Sequence, residues 1–168
     1  MLLGHIKPNW TLRGDNYQYD TQQFNALALS DVVTRSGVRF PKDDNYYGVV
    51  ACKEAWPHKD VAFKDKIILS IVLQADHLLG DQDYHEEQWI TPGAVTVIDA
   101  NKIHWLKQGR FGTTGPYPPY IAVLYTFDAS RSDLAAAMVK SLGNSFSLNR
   151  DIKPLRGTLF RKVFECFT

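Results

Sequence analysis

From position 67 to 73 the chain reads Ile-Ile-Leu-Ser-Ile-Val-Leu, almost continuously apolar. A run of that length is too short for a core helix and fits a strand covered on both faces. The run Tyr46–Cys52 is aromatic and β-branched enough to be a second strand. Before it, Pro41-Lys42-Asp43-Asp44-Asn45 supplies a turn. Further short strands are predicted to start at Gln88-Trp89-Ile90, through Val95 and Val97 after the Pro92-Gly93 turn, over 103–106 and over 120–127. Two loops are expected: 76–87, acid-rich around Gly80-Asp81, and 108–119, studded with Gly109, Gly112, Gly115, Pro116, Pro118 and Pro119. Short strands punctuated by turns at this spacing predict an all-β sandwich or barrel.

Three helices complete the pattern. Asp20-Thr21-Gln22-Gln23 resembles a capping box, Phe24, Leu27 and Ala28 follow at helical spacing, and Arg35 and Gly37 mark the end, so a helix covering the sheet is expected there. Ser130-x-x-Asp133 opens a second through Leu134, Met138 and Leu142, stopped by Gly143. Phe160, Val163, Phe164 and Phe167 line one face of a third, with Arg161, Lys162 and Glu165 opposite. Residues 1–19 lack a period and read as an irregular lead-in with one strand.

A length of 168 residues, with no repeat or linker, points to one domain spanning 1–168 and large enough to bury its own core. The balance of 19 basic and 18 acidic residues, net +1, provides no electrostatic footprint for a dedicated nucleic-acid binder. The partner expected instead is a small-molecule or peptide substrate. Cys52 and Cys166 are expected to be reduced, partly buried thiols. The first eight residues lack the apolar stretch of a signal peptide, and no run approaches the ~18 residues of a membrane span. The expectation is a cytoplasmic protein without a membrane segment; no pattern in the chain speaks to oligomeric state.

The candidate chemistry lies at His58, Asp60 and His104. In extended backbone, residues i and i+2 project to the same side, so His58 and Asp60 can both face a barrel mouth while Lys59 points away. Two imidazoles and a carboxylate compose a facial triad that leaves half of an octahedral Fe(II) open. His85 with Glu87 repeats the His-x-acid spacing, but that cluster, like His77, is expected to sit on a solvated face, and His5 to be a plain surface residue.

Taken together, Trp56-Pro57-His58-Lys59-Asp60, the apolar strand 67–73, the loop 76–87, and Pro92-Gly93-Ala94-Val95-Thr96-Val97-Ile98-Asp99 followed by His104 resemble the core of the non-haem Fe(II), 2-oxoglutarate-dependent oxygenases. That resemblance implies a mainly β fold, the double-stranded β-helix or jelly roll, with flanking α-helices. It also implies Fe(II) held by His58, Asp60 and His104 as the catalytic centre, and 2-oxoglutarate as cosubstrate. Its oxidative decarboxylation to succinate would drive hydroxylation or demethylation of a substrate. Members of the family place a basic residue on the strand after the distal histidine; here residues 119–125 contain none. Arg110 in the preceding loop, or Lys66, which resembles the lysine of the Jumonji-type branch, would then hold the distal carboxylate, helped by a hydroxyl of Tyr120 or Tyr125. Two other readings stay open: a non-catalytic jelly-roll binding or structural protein, and a cupin-type metalloenzyme that does not use 2-oxoglutarate.

Overall fold

A computed structural model describes residues 1–14, 25–109, 118–143 and 145–168, apart from the side chains of Asn25, Ala26 and His85. In chain order it contains β1 (Leu2–Ile6), β2 (Trp10–Leu12), β3 (Asn25–Leu27), α1 (Leu29–Val32), β4 (Val33–Ser36), β5 (Tyr46–Cys52) and β6 (Ala55–His58). After a 3-10 turn at Val61–Phe63 come β7 (Lys66–Gln74), β8 (His77–Asp81), β9 (Tyr84–Ile90), β10 (Ala94–Asp99), β11 (His104–Gln108) and β12 (Tyr120–Asp128). The chain closes with α2 (Leu134–Leu142), β13 (Phe146–Leu148) and α3 (Leu159–Glu165).

The strand pairing defines the fold. β8 pairs with β9, β7 with β10, β6 with β11 and β5 with β12, all antiparallel, so the eight strands are the nested rungs of one long hairpin. That hairpin is wound on itself: β12 also pairs with β7, and β11 with β8. Winding yields a seven-stranded sheet, β13-β1-β10-β7-β12-β5-β3, and a four-stranded sheet, β6-β11-β8-β9. The architecture is a jelly roll, the double-stranded β-helix expected from the sequence.

Each central strand of the large sheet is covered on both faces, which is why its sequence is continuously apolar. On β7, Ile68 and Val72 join Ala55, Leu79 and Leu106 of the small sheet in one core, while Ile67, Leu69, Ile71 and Leu73 pack into a second core with Met138 of α2 and Val163 of α3. Every one of these β7 side chains is at most 3% exposed. Full burial of each is worth roughly 1.5–3 kcal/mol, so the strand anchors both layers at once.

Three expectations are corrected. The helix predicted from Asp20 to Gly37 is replaced, within the described residues, by β3, a single turn of helix and β4; Asp20, Gln23 and Phe24 lie outside them. β3 completes the large sheet beside β5 and β4 pairs with β2. The β-branched run Val32-Val33-Thr34 favours extended backbone, and the open edge of β5 offers a ladder that outweighs weak helical propensity. The acid-rich loop 76–87 is largely the β8–β9 hairpin, whose acids occupy the turn and the half-exposed positions while His77 and Leu79 point inward. The lead-in holds two strands, β1 and β2, rather than one.

The two C-terminal helices fall where they are predicted. Gly143 follows α2 with φ 69°, though Asp133 makes no side-chain capping bond. α3 starts at Thr158, whose hydroxyl accepts from the Arg161 N–H at 3.2 Å. Both cysteines are free; Cys52 is buried, whereas Cys166 is exposed rather than partly buried. Among the described residues no helix is long and apolar enough to cross a membrane.

Candidate metal centre

β6 and β11 are neighbours in the small sheet, and His58 and His104 stand directly opposite each other in their register. The next pair is Ala55 with Leu106, so three steps on β6 match two on β11. The extra residue of this bulge falls at Trp56-Pro57, where proline lacks the N–H a regular ladder would need. Its consequence is a change of parity. In a regular strand Ala55 and His58 would face opposite sides, yet both line the same cavity. Asp60 follows in the turn leading to Val61–Phe63, its N–H donating to the Ala100 carbonyl at 3.1 Å. Sheet register, a bulge and a tethered turn therefore converge on one point.

The three side chains meet through defined atoms. Asp60 Oδ1 lies 3.2 Å from His58 Nε2, and Asp60 Oδ2 lies 3.2 Å from His104 Nε2. The two rings are 4.5 Å apart between centroids. His58 Nδ1 is 2.6 Å from the Trp56 carbonyl and His104 Nδ1 is 2.9 Å from the Lys102 carbonyl. A carbonyl only accepts, so each Nδ1 carries the proton and each Nε2 of the neutral ring turns a lone pair toward Asp60. Lone pairs opposed to a carboxylate need a proton or a cation between them. Accordingly the hydrogen bond with Asp60 raises the pKa of His58 against the effect of burial. Burial pushes the Asp60 carboxyl upward, but hydrogen bonds and charge from His104 and His58 together hold it well below the usual carboxylate range.

The same arrangement fits a metal ion. Ligand atoms about 2.1 Å from one ion and at right angles to each other are about 3.0 Å apart, close to the 3.2 Å found for both nitrogen–oxygen pairs. All donor atoms lie within 4.8 Å of one another, and no second such cluster occurs among the described residues. Donation of the remote ring nitrogen to a backbone carbonyl is how histidine ligands are held in orientation. His104 is buried and His58 and Asp60 are half-buried, so the donor set sits at the edge of the interior.

Beside it is a cavity of about 60 Å³. Its wall is chiefly apolar, with Val50, Ile68, Leu106 and Leu124 among the contributors, and Phe63 packed edge-on against Tyr47 at 5.0 Å. Besides the triad, its polar side chains include Ser70 and Tyr120. Burial pushes the Tyr120 phenol far up, against the opposing effect of the Ser70 hydroxyl, so it stays protonated. Ser70 escaped the sequence reading; the sign was there, as the one hydroxyl in the apolar run 67–73.

Two of the proposed cosubstrate anchors are not brought to the cavity. Tyr125 lies on the opposite face of β12, its hydroxyl donating to the Pro41 carbonyl at 2.9 Å and its ring edge-on to Tyr46 at 5.7 Å. The cause is strand alternation: Tyr120, Ala122 and Leu124 face the small sheet, and Ile121, Val123 and Tyr125 face the helices. Lys66 does not line the cavity; its Nζ pairs with Asp128 at 3.6 Å. Arg110 lies outside the described residues.

His77 also departs from expectation. It is fully buried rather than solvated, with Nε2 donating to the Lys53 carbonyl at 2.6 Å and Nδ1 accepting from the Asp76 N–H at 3.1 Å. Those partners require the neutral ring, and burial lowers its pKa. A lowered folded-state value means that the unfolded chain binds the proton more readily, so stability drains away as pH falls below the ordinary histidine value of about 6.5. His77→Gln keeps a donor for Lys53 and should flatten the acid side of the stability curve relative to wild type in urea unfolding at pH 5 to 7.5. Identical slopes would show that His77 does not carry it. His5 is exposed, as expected. Glu87 is taken up by Trp105 Nε1 at 2.7 Å and Lys107 Nζ at 2.6 Å, and the side chain of His85 lies outside the described set.

No family model matches the chain, and no curated protein matches it. Among solved structures it is similar to a predicted oxalate decarboxylase from Thermotoga maritima, at 15% identity over 50% of this chain and 70% of that one, with a TM-score of 0.36. The fold assignment rests on the strand pairing alone.

Proposed function

We propose that the protein is a mononuclear non-haem Fe(II) oxygenase, with His58, Asp60 and His104 as metal ligands and the adjoining cavity as the substrate site. The observation that carries this reading is the donor set itself: two imidazoles with Nδ1 committed to backbone carbonyls, and one carboxylate 3.2 Å from both free nitrogens. Two neutral nitrogens and one anionic oxygen on one side of an ion are the ligands of non-haem Fe(II) oxygenases. When bound, the iron supplies the redox chemistry with O₂ that no side chain here provides. The chain supplies placement. Trp56 and Lys102 carbonyls lock the rings, Asp60 balances the charge, and the apolar wall keeps bulk water from the reacting groups.

In its finer form this reading takes 2-oxoglutarate as cosubstrate, with hydroxylation or demethylation of a small-molecule or peptide substrate. A buried distal carboxylate needs a cation, and Arg110 is the remaining candidate now that Lys66 is paired with Asp128. A second reading, a cupin-type metalloenzyme that does not use 2-oxoglutarate, is favoured by one observation: among the described residues no Lys or Arg lines the cavity. Anaerobic Fe(II) titration with and without 2-oxoglutarate separates the readings. Stoichiometric Fe(II) binding with a visible charge-transfer band on adding 2-oxoglutarate supports the first, and Fe(II) binding without the band supports the second. No binding leaves a non-catalytic jelly roll. If the band forms, Arg110→Ala should raise the 2-oxoglutarate concentration that half-saturates it by at least about tenfold, the worth of a charge-assisted pair. An unchanged requirement would remove Arg110 as the anchor.

A further inference from the structure

The Ser70–Tyr120 pair has no part in holding a metal, yet it supplies the buried uncharged polar groups of the cavity wall: Ser70 is 1% exposed and Tyr120 4%, whereas Tyr47, the other hydroxyl in the lining, is 47% exposed. The two residues come from adjacent strands, β7 and β12, in the middle of the large sheet, so neither can swing away to solvent. Tyr120 is held from behind by the edge of the His77 ring at 5.8 Å, and His77 is itself fixed by the Lys53 carbonyl. Each hydroxyl offers one proton and two lone pairs, so the two together can meet a polar group placed in the cavity. What they can receive is a hydroxyl, carbonyl or amide. They cannot neutralise a carboxylate, and around them stand aliphatic side chains such as Val50, Ile68 and Leu124 that cannot either.

From this we infer that the cavity takes a small, largely apolar molecule that is uncharged beyond its metal-binding end, with one neutral polar group seated on the Ser70 and Tyr120 hydroxyls. The inference rests on the metal reading above, in the form that does not use 2-oxoglutarate, and adds the class of ligand. Burial that keeps the phenol protonated secures its role as a donor. Tyr120 and Ser70 thereby act as specificity residues, discriminating by the tail of the ligand while His58, Asp60 and His104 take its head. A pocket built to hydrogen-bond one group rejects analogues that leave its polar atoms unpaired or that bring in an unpaired charge.

The test uses the full chain loaded with Co(II), which reports ligand binding by its visible spectrum. Alkyl hydroxamates of matched length, ending in methyl, hydroxyl or carboxylate, present the same chelating head with different tails. The hydroxyl-ended probe should bind about tenfold tighter than the methyl-ended one, and the carboxylate-ended probe at least about tenfold weaker than the hydroxyl-ended one. Tyr120→Phe and Ser70→Ala should erase the hydroxyl preference while leaving affinity for Co(II) and for the methyl-ended probe within about twofold. Loss of that preference together with Co(II) binding in the variants would overturn the specificity role, since the pair would then be supporting the site rather than reading the ligand. The wild-type series stands without the variants. Tightest binding of the carboxylate-ended probe overturns the inference alone and calls for a cation at the tail. Equal binding of all three probes overturns it as well. Failure of the protein to bind Co(II) at all overturns the metal reading, and the inference falls with it.

Discussion

Asp60→Ala is expected to lower Fe(II) or Co(II) affinity by more than about 100-fold and to abolish metal-dependent turnover, with little change in the unfolding midpoint. Removing a residue that merely orients a ligand costs 10–100-fold in metal affinity. Asp60 is the only charged donor of the three, so its loss should exceed that range. The fold should survive because Asp60 stands in a turn, half-buried, and contributes no apolar contact to either core. Its backbone N–H, which ties the turn to Ala100, is retained in the variant. Lys59→Ala, altering the exposed neighbour, is the matched control and should leave metal affinity unchanged. Metal affinity within about threefold of wild type in Asp60→Ala would sink the triad. A variant that unfolds would assign Asp60 a structural role.

How far the chain could be read depended on what each stretch buries. The run 67–73 betrayed a strand covered on both faces because both faces are in fact cores, and the Pro92-Gly93 turn betrayed its neighbour because proline and glycine each answer a specific backbone demand. The hairpin β8–β9 was hidden by composition. Its acids fill the turn and the outward face, so only alternate positions such as His77 and Leu79 carry the inward signal. The stretch from Asp20 to Gly37 has helical spacing locally, but the free edge of β5 recruits Asn25–Leu27 as a strand, a decision taken by tertiary pairing and invisible to a local pattern.

The candidate site shows the same division. His58 and Asp60 were readable from their spacing, yet the parity that sends Ala55 and His58 into one cavity comes from a bulge that only the register with β11 reveals. Tyr125 looked as good as Tyr120 until alternation along β12 placed them on opposite faces. Ser70 escaped notice because a single serine does not interrupt the apolar pattern of the run 67–73. Only the ring of Tyr120, arriving from the next strand, turns it into a feature of the cavity.

Gly93→Ala should be among the most damaging single substitutions in the large sheet, costing roughly 3–5 kcal/mol, at the upper end of point-mutation effects. Two penalties coincide there. Gly93 has φ 88°, a conformation that costs an L side chain about 1–2 kcal/mol. A Cβ at that position would also fall inside van der Waals contact of the Ile6 carbonyl oxygen and 2.9 Å from Pro8 Cγ. Ile6 cannot retreat, because its own N–H donates to the Gly93 carbonyl at 2.8 Å while the Gly93 N–H donates to Val72 at 2.8 Å. This one turn therefore clamps β1, β7 and the start of β10 together. Gly157→Ala separates the two penalties: φ is 77° there, but nothing lies within 4 Å of the added carbon, so only the backbone cost of about 1–2 kcal/mol should appear. Urea unfolding of both variants decides the matter, and equal losses would mean that the overlap with Ile6 relaxes without cost. Weakening the clamp should reach the site as well, since β10 carries Ile98 of the cavity wall and leads into Ala100, whose carbonyl holds the Asp60 N–H.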